Sequence, residues 1–303
     1  LDLVCNLLIV QMSNTTFFFS RLSSSAEDEH EQCRVAANYL KLKIKQNIQI
    51  AILCSENFAE IGTFLSNSET ISCEGIPGFP VNRKNCDQNN FVFGYVGKAY
   101  IGCMFAHLST YDGYTVSETV APVRILHLLG AELILLISNA HSLNQKFKAG
   151  DFMIIKDHLN FAELMGISAL AGRYENLYGI QFPNLRMAYD AEYRQILKSI
   201  AEKANLEKRV HEGVYTVLGN SAHPTRTEME FIKTLGSDAI GMNLCHEVVA
   251  ARQYNMRVVA IAVIRPAVRE KNEQEKIPDA ANQQVKATLF QFIEQFCIET
   301  KFA

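Results

Sequence analysis

Five short segments of this chain place small or polar residues where an apolar run ends, the arrangement by which open α/β sheets present side chains to a ligand. They are Ser55-Glu56-Asn57, Ser138-Asn139-Ala140-His141-Ser142, Gly219-Asn220-Ser221-Ala222-His223, Gly241-Met242-Asn243, and the stretch from His107 to Tyr114. Serine, asparagine and backbone N–H groups in such turns can hold an anion or a sugar hydroxyl, and histidine can carry a proton or a charge. Each segment taken singly also fits an ordinary turn, where Gly, Ser and Asn serve backbone geometry alone. It is their number that points to a ligand site.

Each segment follows an element that would position it. The apolar run at 48–54 reads as a buried strand, 91–95 and 99–105 as a hairpin around Val96-Gly97-Lys98, and 133–137 as a strand delivering the chain to Ser138. Further strands are expected at 152–156, 214–218, 239–242 and 258–264. Helices are expected at 26–43 after a Ser25 cap, and at 119–129, 191–204, 227–235, 245–254 and 280–300, with Gly130 at a left-handed C-cap. Strands and helices alternate to the end, so the pattern predicts one α/β domain over 26–303 with sites at the carboxyl ends of strands. Residues 1–25 read as a poorly ordered N-terminal extension, and its apolar LDLVCNLLIV is too short to span a bilayer.

Composition limits the partners. Of 303 residues, 48% are hydrophobic and 20% charged, which excludes a disordered, collagen-like or coiled-coil chain. Twenty-nine Lys and Arg against 32 Asp and Glu leave a formal charge of -3. No global basic field exists for nucleic acid or an anionic membrane, and any anion has to be held locally. No 18-residue uncharged apolar run marks a membrane span. The eight cysteines form no C-x-x-C pair and no zinc spacing, and Cys54 and Cys103 lie in apolar runs as small hydrophobes, so no metal site is expected. That usage points to a reducing, cytoplasmic setting, while the apolar N-terminus leaves an extracellular one open.

The stretch TVAPVRILHLLGAELILLISNAHSLNQKFKAGDFMIIKDHLN resembles the central segment of the trimeric, low-molecular-mass purine nucleoside phosphorylases. There a helix leads to an N-A-A-G-G-L turn and a G-D-x-M-x-x-x-D-H motif. The likeness continues through Glu212-Gly213-Val214-Tyr215, Leu235-Gly236-Ser237-Asp238-Ala239-Ile240-Gly241-Met242 and His246-Glu247-Val248-Val249-Ala250-Ala251-Arg252. Tyr111-Asp112-Gly113-Tyr114 stands where that family has Y-E-G-Y. The resemblance implies a phosphorylase-like three-layer α/β domain, with a central mixed β-sheet or distorted barrel flanked by helices. It also implies a homotrimer with active sites near subunit interfaces. The family cleaves purine nucleosides with inorganic phosphate to the free base and a pentose 1-phosphate, with phosphate as co-substrate and no cofactor.

That reaction needs oriented charge for the phosphate and hydrogen-bonding groups for the departing purine. The resemblance assigns Ser55, His107, Ser109, Ala140 and Asn243 to phosphate. The family's G-S-G-x-G turn has become Cys54-Ser55-Glu56-Asn57-Phe58-Ala59, its R-F-H has become His107-Leu108-Ser109, and its Ser after Gly-Met is Asn243. A histidine, expected to be mostly neutral at pH 7, thus replaces the phosphate-gripping arginine. Tyr111, Asn139, Tyr178, His223, Met242 and Gln283 are assigned to the nucleoside. The family's G-P-S-F-E-T turn reads Asn220-Ser221-Ala222-His223-Pro224-Thr225, which puts Pro224 at the purine-binding Glu. Its T-N strand end reads Arg265-Pro266, with proline at the Asn that assists the leaving base. The central turn, Asn139-Ala140-His141-Ser142-Leu143, has lost a residue and its glycines.

No catalytic set is intact, and His107, Ser109, Pro224 and Pro266 are its degenerate positions. Losing one preorganised donor costs roughly 100- to 1,000-fold in rate. Ordinary purine phosphorolysis is therefore expected to be lost from a kept frame, leaving a pseudoenzyme with a binding or interaction role. The alternative is an active nucleoside phosphorylase of changed specificity, with His107, His141, His223, Arg226 and Arg265 rebuilding an anion site. The expected partners are further copies of the chain and a small nucleoside or anion ligand.

Overall fold

A computed structural model of the chain describes residues 26–80, 89–171, 179–219, 224–266 and 279–302. The extension 1–25, Tyr178, and the segment Asn220-Ser221-Ala222-His223 lie outside the described residues.

The strands are β1 (Ile50–Cys54), β2 (Ser66–Ser72), β3 (Asn90–Val96), β4 (Ala99–Met104), β5 (Leu133–Ser142), β6 (Phe152–Asn160), β7 (Val210–Val217), β8 (Ala239–Gly241) and β9 (Arg257–Arg265). The helices are α1 (Ala26–Lys41), α2 (Val116–Thr119), α3 (Ala121–Leu128), α4 (Phe161–Leu164), α5 (Ala191–Lys203), α6 (Arg226–Thr234), α7 (Cys245–Gln253) and α8 (Asp279–Glu299). The helix expected at 119–129 is α3, with Pro122 in its first turn, and the short α2 comes just before it.

All of β1 is buried, and its alternation builds two cores. Ala51 and Leu53 face one that includes Leu40 of α1, Leu126 of α3 and Val248 of α7. Ile50, Ile52 and Cys54 face the other, with Leu197 of α5 and Phe292 of α8. Burial on both faces is what makes β1, β4 and the start of β5 read as unbroken apolar runs. The result is the expected three-layer α/β arrangement. The described cysteines, Cys33, Cys54, Cys73, Cys103, Cys245 and Cys297, are buried free thiols that fill these cores. Among the described residues no helix is long and apolar enough to cross a membrane.

The strand order is β2-β3-β4-β1-β5-β8-β7-β6-β9, and β5 also pairs with β9, so the last five strands close into a barrel. Closure depends on the length of β5. Its first half lies parallel to β1, it runs parallel to β9 from Leu133↔Arg257 to His141↔Arg265, and it ends antiparallel to β8 through His141↔Ile240 and Ser142↔Ala239. The strand expected to stop at 137 therefore continues, and Ser138, Asn139, Ala140 and His141 are rungs of a ladder instead of a central turn. A strand with a partner on each side satisfies its backbone whatever side chains it carries, so small polar residues do not end it. The turn follows, where the Leu143 N–H donates to the Asp238 carbonyl at 2.9 Å.

Candidate active site

The chain leaves β4 at Met104 and passes through His107 and Ser109 to a 3-10 turn, Thr110–Asp112, which ends at Gly113 with φ 92. His107 turns inward, its side chain 1% exposed. Nδ1 lies 2.7 Å from Glu247 Oε1 and Nε2 lies 2.9 Å from the Ile137 carbonyl oxygen. A carbonyl only accepts, so Nε2 carries a proton. A neutral ring would then turn the Nδ1 lone pair towards a carboxylate, whereas the imidazolium donates from both nitrogens. Burial pushes the His107 pKa down, but the Glu247 charge, its hydrogen bond and the Ile137 carbonyl together carry it above the ordinary value. The contacts and the direction of the shift both favour the charged form over the neutral ring expected. Both ring nitrogens of His107, the residue to which the resemblance assigned phosphate, have their partners inside the protein.

Glu247 escaped attention as a site residue. It lies on α7 beside the buried residues Val248, Val249, Ala250 and Ala251, and is itself 3% exposed. An acid in so apolar a helix has to be paired, which is the available signal. Its partner is 140 positions away and has no local signature.

The Ile137 carbonyl gathers two of the assigned phosphate positions. It accepts from His107 and also from the Ser55 N–H at 3.2 Å, where β1 ends. Ser109 is buried, and with Thr110, Met242, Asn243, His246 and Glu247 it lines a cavity of about 20 Å³, room for about one water. No Lys or Arg is among the described residues lining it. Burial lowers the pKa of His246 against the raising influence of Glu163 and Glu247, so that ring adds no positive charge at neutral pH. Ala140 is only 1% exposed, opposite Ile264 on β9.

Between Asn243 and α7 the backbone is strained. Leu244 has φ 85 and ψ -47, a region that L-residues with branched side chains avoid. Its side chain is buried, and its carbonyl accepts from Val248 N–H at 2.9 Å to start α7. Just before, Gly241 leaves room that the Tyr215 hydroxyl fills. This bend lets one short stretch present both Asn243 to the cavity and Glu247 to His107.

On the nucleoside side, Tyr111 and Met242 are 50% and 39% exposed. Asn139 Oδ1 is buried without a hydrogen-bond partner among the described residues. Pro224 precedes Thr225, which caps α6 in a reciprocal capping box with Glu228. The Pro266 carbonyl accepts from His141 Nδ1–H at 2.7 Å, and Arg265 Nη1 donates to Asn282 Oδ1 at 3.2 Å. Neither proline offers a side-chain donor or acceptor. Gln283 is exposed on α8, and its neighbour Asn282 is the residue that meets the end of β9. Of the groups that could rebuild an anion site, His107, His141 and Arg265 are hydrogen-bonded within the protein, and Arg226 is exposed at the start of α6.

Comparison with known proteins gives this arrangement a lineage. The family model described as phosphorylase superfamily matches residues 49–297. A purine nucleoside phosphorylase of Anopheles gambiae is 32% identical over 228 residues, 75% of this chain and 65% of that protein. Purine nucleoside phosphorylase 1 of Bacillus subtilis is 32% identical over 232 residues, 77% of this chain and 84% of that one. Among solved structures, isoform 2 of purine nucleoside phosphorylase from Schistosoma mansoni, in complex with cytosine and ribose-1-phosphate, superposes with a TM-score of 0.83 at 28% identity. The match covers 90% of this chain and 98% of that one. The Schistosoma mansoni enzyme in complex with adenosine gives 0.81 at 26% identity over 89% of this chain and 97% of that one. With the fold, the motif blocks and these matches in agreement, the chain belongs to the phosphorylase superfamily, as a homologue of the purine nucleoside phosphorylases.

Proposed function

We propose that this protein has lost ordinary purine nucleoside phosphorolysis and works as a cytoplasmic homotrimer that binds a nucleoside-like molecule or a small anion, without a cofactor. The observation that carries this reading is His107. It stands where the resemblance puts the phosphate-gripping arginine, and both its N–H groups are held by Glu247 and Ile137. A guanidinium offers five donors, so it can be anchored and still grip an anion, whereas an imidazolium offers two. Attack by phosphate on an oxocarbenium-like sugar needs a fixed positive charge beneath it, and no Lys or Arg is among the described residues lining the cavity. Pro224 and Pro266 support the same reading on the base side, since the departing purine meets no side-chain hydrogen bond at either position.

Exposed apolar side chains support self-association. Leu164, Met165 and Phe182 are 76%, 78% and 84% exposed, large apolar side chains that a further copy of the chain could cover. Light scattering checks the assembly, with three chains per particle expected.

The test of activity is release of free base from inosine, adenosine, cytidine and uridine with saturating phosphate. No release from the purine nucleosides is expected, and turnover of about 10 per second on inosine, ordinary for an enzyme, would end the proposal. A second reading is an active enzyme of changed base preference. The Schistosoma mansoni structure with cytosine and ribose-1-phosphate favours it, since that close structural neighbour holds a pyrimidine. Release of cytosine or uracil without release of purines would select this reading.

A further inference from the structure

The amino ends of β6 and β7 carry a second cavity, of about 450 Å³, lined by Lys146, Lys148, Asp151, Lys208, Arg209 and Gln284 among others. Because β6 and β7 are parallel and in step from Phe152↔Val210, the turn before one and the loop before the other lie side by side. Val217 and Gly219, at the other end of β7, belong to the small cavity beside Glu247. Eight strand residues separate the two sites, roughly 25 Å at the rise of an extended chain.

The floor of the larger cavity is built firmly. Gly150, at φ 91, donates its N–H to the Ile264 carbonyl at 2.8 Å, and its own carbonyl accepts from Arg209 Nη2 at 2.8 Å. Asp151 is 4% exposed and accepts from His211 Nε2 at 2.8 Å and from the Lys148 N–H at 2.9 Å. With Arg209 Nε at 3.9 Å as well, its charge is answered within the floor. The ammonium groups of Lys146, Lys148 and Lys208 have no acceptor among the described residues. In a chain of formal charge -3, this is a local excess of positive charge around an open volume of small-molecule size.

We propose that this cleft binds the polyphosphate group of a small ligand. Several cations spread around one volume suit two or more linked phosphates better than a single one, because each ammonium then meets its own oxyanion. No Phe, Tyr, Trp or His is among the described residues lining the cleft, so no ring is offered for stacking a base. Recognition therefore belongs to the phosphate chain, whether that chain is free or part of a nucleotide. The proposal does not depend on the loss of phosphorolysis.

The test is calorimetric titration of the full chain with tripolyphosphate, ATP and orthophosphate, at 50 and 200 mM salt. Tripolyphosphate and ATP are expected to bind within about threefold of one another, and orthophosphate at least about tenfold more weakly, with affinity falling as salt rises. The triple variant Lys146→Gln, Lys148→Gln, Lys208→Gln is expected to lose at least about tenfold in affinity for tripolyphosphate, while Lys301→Gln keeps it. These lysines are exposed, so circular dichroism of the variant should match that of the parent. Unchanged affinity in the triple variant, or ATP binding without tripolyphosphate binding, overturns the proposal.

Discussion

The two ends of β7 treat positive charge in opposite ways. At the carboxyl end His107 is buried against Glu247, and the cavity beside it has no Lys or Arg among its described lining residues. At the amino end Lys146, Lys148 and Lys208 surround a larger opening, with no acceptors for their ammonium groups among the described residues. The first charge is structural and the second is available.

The largest effect is expected from breaking the buried pair. Glu247→Ala would take away the charge that raises the His107 pKa and leave a buried Nδ1 without its partner, a loss of about 1–3 kcal/mol in urea unfolding. Removing both partners sharpens the comparison. The double variant His107→Leu, Glu247→Leu should recover most of that loss, because two apolar side chains leave no orphaned polar group. If it unfolds as easily as the single variant, the pair is not the reason for the loss.

How much of this was legible beforehand depended on where the information lay. Strands such as β1 and β9 were readable because burial on both faces demands unbroken apolar runs. The edge strand β2, with the sequence SNSETIS, is largely exposed and has no such pattern. It forms because β3 offers it a ladder and Gly94 leaves room for Leu65, whose Cβ would lie 2.8 Å from any Cβ there. Ser138 to His141 look like a turn by residue type, yet they close the barrel because β8 and β9 pair with the end of β5. At the site, the resemblance sets His107 where that family has an arginine, but the pull on its protonation is not legible in the motif. That state follows from Glu247 and Ile137, contacts that only the fold creates.

A smaller effect, in pH, follows from the direction of the His107 shift. Its pKa is raised on folding, so its stabilisation is full below the unfolded value of about 6.5 and is lost as pH rises through the higher folded value. Thermal unfolding of the parent, followed from pH 6 to pH 9, should lose stability across that window relative to the double variant. An identical pH profile in the two proteins would remove the buried charge from the account.

The smallest effect is expected at the other end of β7. Replacing Lys146, Lys148 or Lys208 singly by Gln should change stability by no more than about 0.5 kcal/mol, as for exposed surface residues. A drop comparable to that of Glu247→Ala would mean that these lysines hold the fold together and are not free to meet a ligand.

The most direct test of the central claim is the phosphorolysis of inosine by the parent protein with saturating phosphate, followed as release of hypoxanthine. With the His107 charge committed to Glu247 and prolines at 224 and 266, no release above the uncatalysed background is predicted. Hypoxanthine released at about 10 per second would contradict the account, because it would require a phosphate grip that the arrangement of His107, Glu247 and Ile137 does not leave free.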